Sequence, residues 1–148
     1  VNPFARTAYV VAAAAALFAQ AAPASAEFSY LTPAQKRAHE CQQTRRAGDW
    51  AQSLPICLSA AAMFKALGDR ERRNPWYSYE VQGEMMEAAA ADYAGLGRHR
   101  EAYDTAVDAR RLLAYLPTAY KMDPDDVADI AAAVGRLDAL IAVERRKT

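Results

Sequence analysis

The chain of 148 residues carries Lys+Arg 18 against Asp+Glu 18, with 53% hydrophobic and 9% aromatic residues. Its 36 Ala against 11 Val plus Ile favour helices over strands, because unbranched side chains lose little rotamer freedom in a helix. The zero net charge excludes a generic nucleic-acid binder, and 7 Pro with 6 Gly exclude a fibrous or low-complexity chain.

Residues 1–26 read as a secretory signal peptide. Arg6 precedes an apolar stretch from Ala8 to Phe18, and Ala24-Ser25-Ala26 supplies a cleavage pattern of small residues. The apolar run is shorter than the roughly 20 residues that cross a bilayer. Cleavage after Ala26 is expected, which leaves 27–148 as one all-α domain without membrane insertion, exported to the periplasm or secreted. A retained N-terminal anchor is the alternative.

Five helices follow from punctuation and periodicity, near 33–47, 50–67, 75–94, 99–116 and 124–146. Thr32-Pro33-Ala34-Gln35 offers a capping hydroxyl, a proline at the first helical position and a glutamine at the capping-box position. Asn74-Pro75 and Asp123-Pro124-Asp125-Asp126 repeat that logic, while Gly48 and Gly95-Leu96-Gly97 mark stops. Trp50, Leu54, Cys57, Leu58, Ala61 and Phe64 share one face of the second helix. Pro55 falls in or just beyond its first turn, and Asp69 to Arg73 reads as a solvated connection. In the fifth helix Val127, Ile130, Val134, Leu137 and Ile141 form the apolar stripe.

Cys41 and Cys57 are the only cysteines. In an exported chain an even pair is read first as a disulfide, and each lies about two helical turns from the Gly48-Asp49-Trp50 corner, which sets the sulfurs opposite each other. Closing that loop contributes about 3 kcal/mol in the chain-entropy picture. A redox pair or metal site is the alternative, but there is no C-x-x-C and no further ligand set at metal spacing. No metal or other cofactor is expected.

An internal repeat appears when Gly48 is aligned with Gly97. Trp50 then matches His99, Ser53 matches Ala102 and Ala60 matches Ala109, while Cys41 matches Ala90 and Thr44 matches Tyr93. Small residues recur where antiparallel helices must approach closely. The pattern, over about residues 33–116, resembles the tetratricopeptide repeat. That family has a small residue and then an aromatic in the first helix, a Gly-x-aromatic corner, and two small residues seven apart in the second. The second copy departs only at the corner, where His99 replaces the aromatic; the first puts Cys41, Ser53 and Thr44 at family positions. The copies lie 49 residues apart, against about 34 in contiguous repeats. The resemblance implies a short solenoid of antiparallel hairpins with the last helix as a cap; a plain helical bundle is the alternative architecture.

The resemblance further implies a binding scaffold for a peptide or protein partner, whose first helices line a groove. The groove positions map to Gln35, Gln42, Arg45 and Arg46 in the first copy and to Glu84 and Glu87 in the second. Arg45 and Arg46 suit a carboxylate. The family's peptide-carboxylate clamp uses Lys and Asn where this chain has Ala38 and Gln42, so that specificity is not implied. The plainer reading of these charges is a solvated helix face. Trp76 and Tyr77, with Tyr79 beside Arg72 and Arg73, form either a second partner-binding patch or rings that close a core under a loop. A small-ligand carrier and a structural component of an envelope complex are the other functional readings. An enzyme is not expected: His39 and His99 form no recognised acid–base pair, and no nucleophile elbow, phosphate loop or metal motif is present.

Overall fold

A computed structural model describes residues 32–148; the expected signal peptide lies outside the described residues. The fold is all-α, with α1 Pro33–Arg46, α2 Trp50–Arg70, α3 Trp76–Gly95, α4 His99–Ala119 and α5 Pro124–Glu144, and there is no strand among the described residues. The capping box at α1 forms as expected: the Gln35 amide donates to Thr32 Oγ1 at 3.3 Å, and the Thr32 amide donates to Gln35 Oε1 at 2.9 Å. At α3 the expected Asn74 cap does not form. Pro75 is itself the cap residue, already in helical geometry, and no side chain caps that end.

The helices outrun their sequence bounds in two places. α2 continues past 67 to Arg70, supported by Lys65 donating to Asp69 one turn later at 2.6 Å and by the Tyr79 hydroxyl donating to the same carboxylate at 3.0 Å. Part of the connection read as solvated is therefore helix. α4 runs through Pro117 to Ala119, and α2 accommodates Pro55 early in its length. A proline near a helix end forfeits few hydrogen bonds.

The two hairpin corners are built alike. Gly48 and Gly97 are the residues with positive φ among those described, at 78° and 73°. The Gly48 amide donates to the Arg45 carbonyl, as Gly97 does to Ala94; Ala47 donates to Gln43, as Leu96 does to Asp92; and Ser53 donates to Asp49, as Ala102 does to Arg98. Each pair keeps the offset found in the sequence. The matched small positions Cys41 and Ala90, Ser53 and Ala102, Cys57 and Ala106, and Ala60 and Ala109 are all fully buried.

Successive helices pack as neighbours, and α3 also meets α1 and α5. No pair of Cα atoms within 8 Å joins α1 to α4 or α5, or α2 to α4. This is an open array, compatible with a helical repeat, rather than a ring in which the first and fourth helices close on each other. One core cluster lies among α1, α2 and α3, and another among α3, α4 and α5, so α3 is buried on both sides. On α2, Leu54, Cys57, Ala61 and Phe64 are buried as expected, but Trp50 and Leu58 of the same stripe are exposed. On α5, Ile130 and Leu137 are buried, Val134 and Ile141 half-buried, and Val127 exposed.

Cys41 and Cys57 form a disulfide across α1 and α2, with Cα atoms 4.9 Å apart. Such a bond fits an oxidising compartment. No helix among the described residues is long and apolar enough to cross a membrane.

Two glycines give opposite expectations on substitution by alanine. A Cβ on Gly83 would lie 2.6 Å from Leu113 Cγ, a buried branched side chain, whereas one on Gly135, mid-way along α5, meets nothing within 4 Å. Gly83→Ala is expected to cost about 1–3 kcal/mol by overpacking, and Gly135→Ala to stabilise by about 1 kcal/mol through helix propensity. Urea denaturation followed by circular dichroism measures both.

Candidate functional site

The C-terminal end of α1 is fixed by a carboxylate from α3. Asp92 is fully buried, yet its Oδ1 accepts from Arg45 Nε at 2.8 Å and its Oδ2 accepts from Ser53 Oγ at 2.6 Å. The sulfur of Cys57 lies 3.7 Å from Oδ2 as a van der Waals neighbour, since in a disulfide it carries no proton. Three helices thus meet at one carboxylate. Arg45 is partly solvent-facing, with 35% of its side chain accessible. Its Nε is committed inward while the side chain lines the surface.

That surface is a groove. A depression of about 330 Å3 is lined by Gln42 and Arg45 from α1, by Glu84, Met85, Glu87, Ala88 and Ala91 from α3, and by Arg136 from α5. A contiguous hollow of about 290 Å3 adds Arg46 to Gln42 and Arg45. The odd-numbered helices therefore share one concave face. Arg136 clamps Glu87 across it, Nε donating to Oε1 at 2.6 Å and Nη2 to Oε2 at 2.9 Å.

The start of α3 makes the other end acidic. Glu80 and Glu84 stand one helical turn apart, with Asp129 of α5 close enough to repel both and Asp126 close enough to repel Glu80. Partial burial, reinforced by Glu84, Asp126 and Asp129, pushes the Glu80 carboxyl up to about 7. Partial burial and Glu87 raise Glu84 as well, with Arg136 acting in the opposite direction. These carboxylates repel one another at neutral pH.

Of the residues nominated from sequence, Gln42, Arg45, Arg46, Glu84 and Glu87 come together along this groove. Gln35 does not join them, because its side-chain oxygen is engaged in the capping box at the far end of α1. Trp76 and Tyr77 stand at the start of α3, their rings edge to face at 6.3 Å, and line neither hollow. Tyr77 is 52% exposed and Trp76 half-buried, so the two do not form one open patch, while Tyr79 closes the α2–α3 corner against Gly68.

Sequence reasoning missed Asp92, Arg136 and Glu80. For Asp92 the signal was an acid directly after the Ala88–Ala91 run, at a position where the surrounding small residues mark close helix packing. His99, which stands where the repeat pattern has a corner aromatic, places Nδ1 2.6 Å from Oε2 of Glu144, which is buried at the end of α5 and also accepts from Lys147 Nζ at 3.0 Å. Burial works against ionisation of Glu144, but the hydrogen bonds from Lys147 and His99 outweigh it and hold the carboxyl below its ordinary range. The pair ties the first residue of α4 to the last of α5. Among the described residues no group of three or more His, Cys, Asp or Glu side chains is arranged to hold a metal.

Fold and surface together define a small all-α array of paired helices with a charged groove on the face of α1, α3 and α5. Set against models of known protein families, curated proteins and solved structures, the chain gives no match.

The two arginines are expected to separate on substitution. Arg45→Met leaves a buried carboxylate without its counter-charge and should cost about 3–5 kcal/mol, while Arg46→Met, at an exposed position, should change stability by less than about 0.5 kcal/mol. Chemical denaturation at neutral pH distinguishes them.

Glu80 gives a pH signature. Its proton is held more tightly in the folded chain than in the unfolded one, so this contribution to stability is present at acidic pH and is lost as pH rises from 4.5 through about 7. Glu80→Gln should therefore stabilise the protein at pH values above that range, by about 1 kcal/mol after solvent screening, and be close to neutral in acid. Thermal melts across pH measure the difference.

Proposed function

We propose that this domain is an exported, non-catalytic binding module of tetratricopeptide-like hairpins that holds a peptide or protein segment along the face of α1, α3 and α5. The observation that carries this reading is the groove itself. Five positions nominated from the repeat alignment line two hollows that share Gln42 and Arg45, formed by the first helix of each hairpin and by α5. The matched corners and matched buried small residues support the repeat architecture. Small floor residues, Ala88 and Ala91, let a ligand backbone approach closely, and the charged walls give it orientation. The disulfide supports export.

Photo-crosslinking tests the reading. A photoreactive residue placed at Gln42 or Ala91 should give discrete adducts whose linked positions fall in one short segment of a partner, and the same probe at Ala62, exposed on α2, should not. Equal adduct patterns from both faces would remove the groove assignment.

A further inference from the structure

The groove carries its charges in an ordered way. At the end formed by the last turn of α1 stand Arg45 and Arg46 with Gln42. In the middle the floor is Met85, Ala88 and Ala91, and the wall charges Glu87 and Arg136 cancel each other through two hydrogen bonds. At the other end Glu84 faces the groove, with Glu80 one turn beyond and Asp126 and Asp129 across from them on α5. No hydrogen bond or ion pair to a cation satisfies Glu80 or Glu84 among those described, whereas Glu87 has Arg136.

The basic end is held in place. Asp92, fully buried and itself held by the buried Ser53, accepts from the Nε of Arg45, while the Arg45 side chain lines the groove with 35% of its surface accessible. A guanidinium fixed in this way loses less side-chain entropy on gripping a carboxylate.

The separation of the two ends follows from helix geometry. Arg45 is anchored at the level of Asp92, eight residues along α3 from Glu84, and at about 1.5 Å per residue the levels differ by about 12 Å. An extended segment rises about 3.3 Å per residue, so side chains that reach both ends are about four residues apart.

We infer that the groove selects an extended peptide segment bearing one acidic and one basic side chain about four residues apart, the acid on Arg45 and Arg46 and the base on Glu84 and Glu80. This rests on the groove reading above and adds the chemistry and spacing of its occupant. The raised carboxyl of Glu80 supports it, because burial and three neighbouring acids leave that end short of positive charge. A segment with a single sign of charge satisfies one end and meets repulsion at the other.

The test uses short end-blocked glycine–serine peptides with one glutamate and one lysine, either about four residues apart or adjacent, titrated into the full domain and followed by amide chemical shifts. The spaced peptide is expected to shift amides of α1 and α3 and to bind about fivefold more tightly than the adjacent isomer, the equivalent of one exposed ion pair. Arg46→Gln and Glu84→Gln should each abolish that preference without changing the fold, neither side chain belonging to either core cluster. Equal binding of the two isomers with shifts confined to the groove overturns the spacing and leaves the groove reading standing. Absence of groove shifts from either peptide, where photo-crosslinks from Gln42 map to a partner segment, overturns the charge chemistry alone. Absence of both removes the inference together with the reading beneath it.

Discussion

The architecture turns on a carboxylate taken out of water. Asp92 leaves solvent completely and recovers its solvation from an arginine of α1 and a serine of α2. Burying a charge costs several kcal/mol unless partners restore it. That penalty makes the arrangement specific, because few placements of three helices satisfy both carboxylate oxygens. α1 has little else with which to choose its position. Its buried side chains are Ala34, Ala38 and Cys41, which carry no large apolar group. At about 0.8 kcal/mol per buried CH2, alanines contribute modestly. The disulfide, worth about 3 kcal/mol through the unfolded chain, holds α1 near α2, and the charge pair sets its register on α3.

The two hairpins reach the same backbone geometry with different chemistry. Where the first buries Cys41, Ser53 and Cys57, the second buries Ala90, Ala102 and Ala106. Near its corner the first interior holds a covalent bridge beside a hydrogen-bonded acid, with Leu54, Phe64 and Met85 filling the rest. The second is apolar and is filled by Leu113, Leu116, Ile130 and Leu137, with Leu113 seated against Gly83. One corner geometry thus accepts either solution, because what the corner requires is a glycine with positive φ and small residues flanking it.

The fold was legible in the sequence because its determinants are local. Glycine corners, proline starts and three-four spacing place all five helices, with the differences confined to ends. α2 gained its last residues from Lys65 and Tyr79 acting on Asp69, and the latter crosses a helix boundary that spacing does not encode. The groove was legible where the repeat alignment applied, at Gln42, Arg45, Arg46, Glu84 and Glu87. It was not legible where a side chain found its partner far along the chain. Arg45 meets Asp92 at a separation of 47 residues, and Glu87 meets Arg136 at 49. Local periodicity shows that such charges exist and on which face they lie, but not that one cancels another. Gln35 lines neither hollow for the converse reason, its local role at the cap having already engaged it.

Linear arrays of helices often come apart piecewise, since each unit touches only its neighbours. Here α3 belongs to both interiors, giving Met85, Ala88 and Ala89 to one and Ala90 to the other, with Met86 against each. Neither hairpin retains a complete interior when that helix is lost. The modular construction therefore couples its two halves through one shared helix, and the boundary between them is occupied by the least dispensable element.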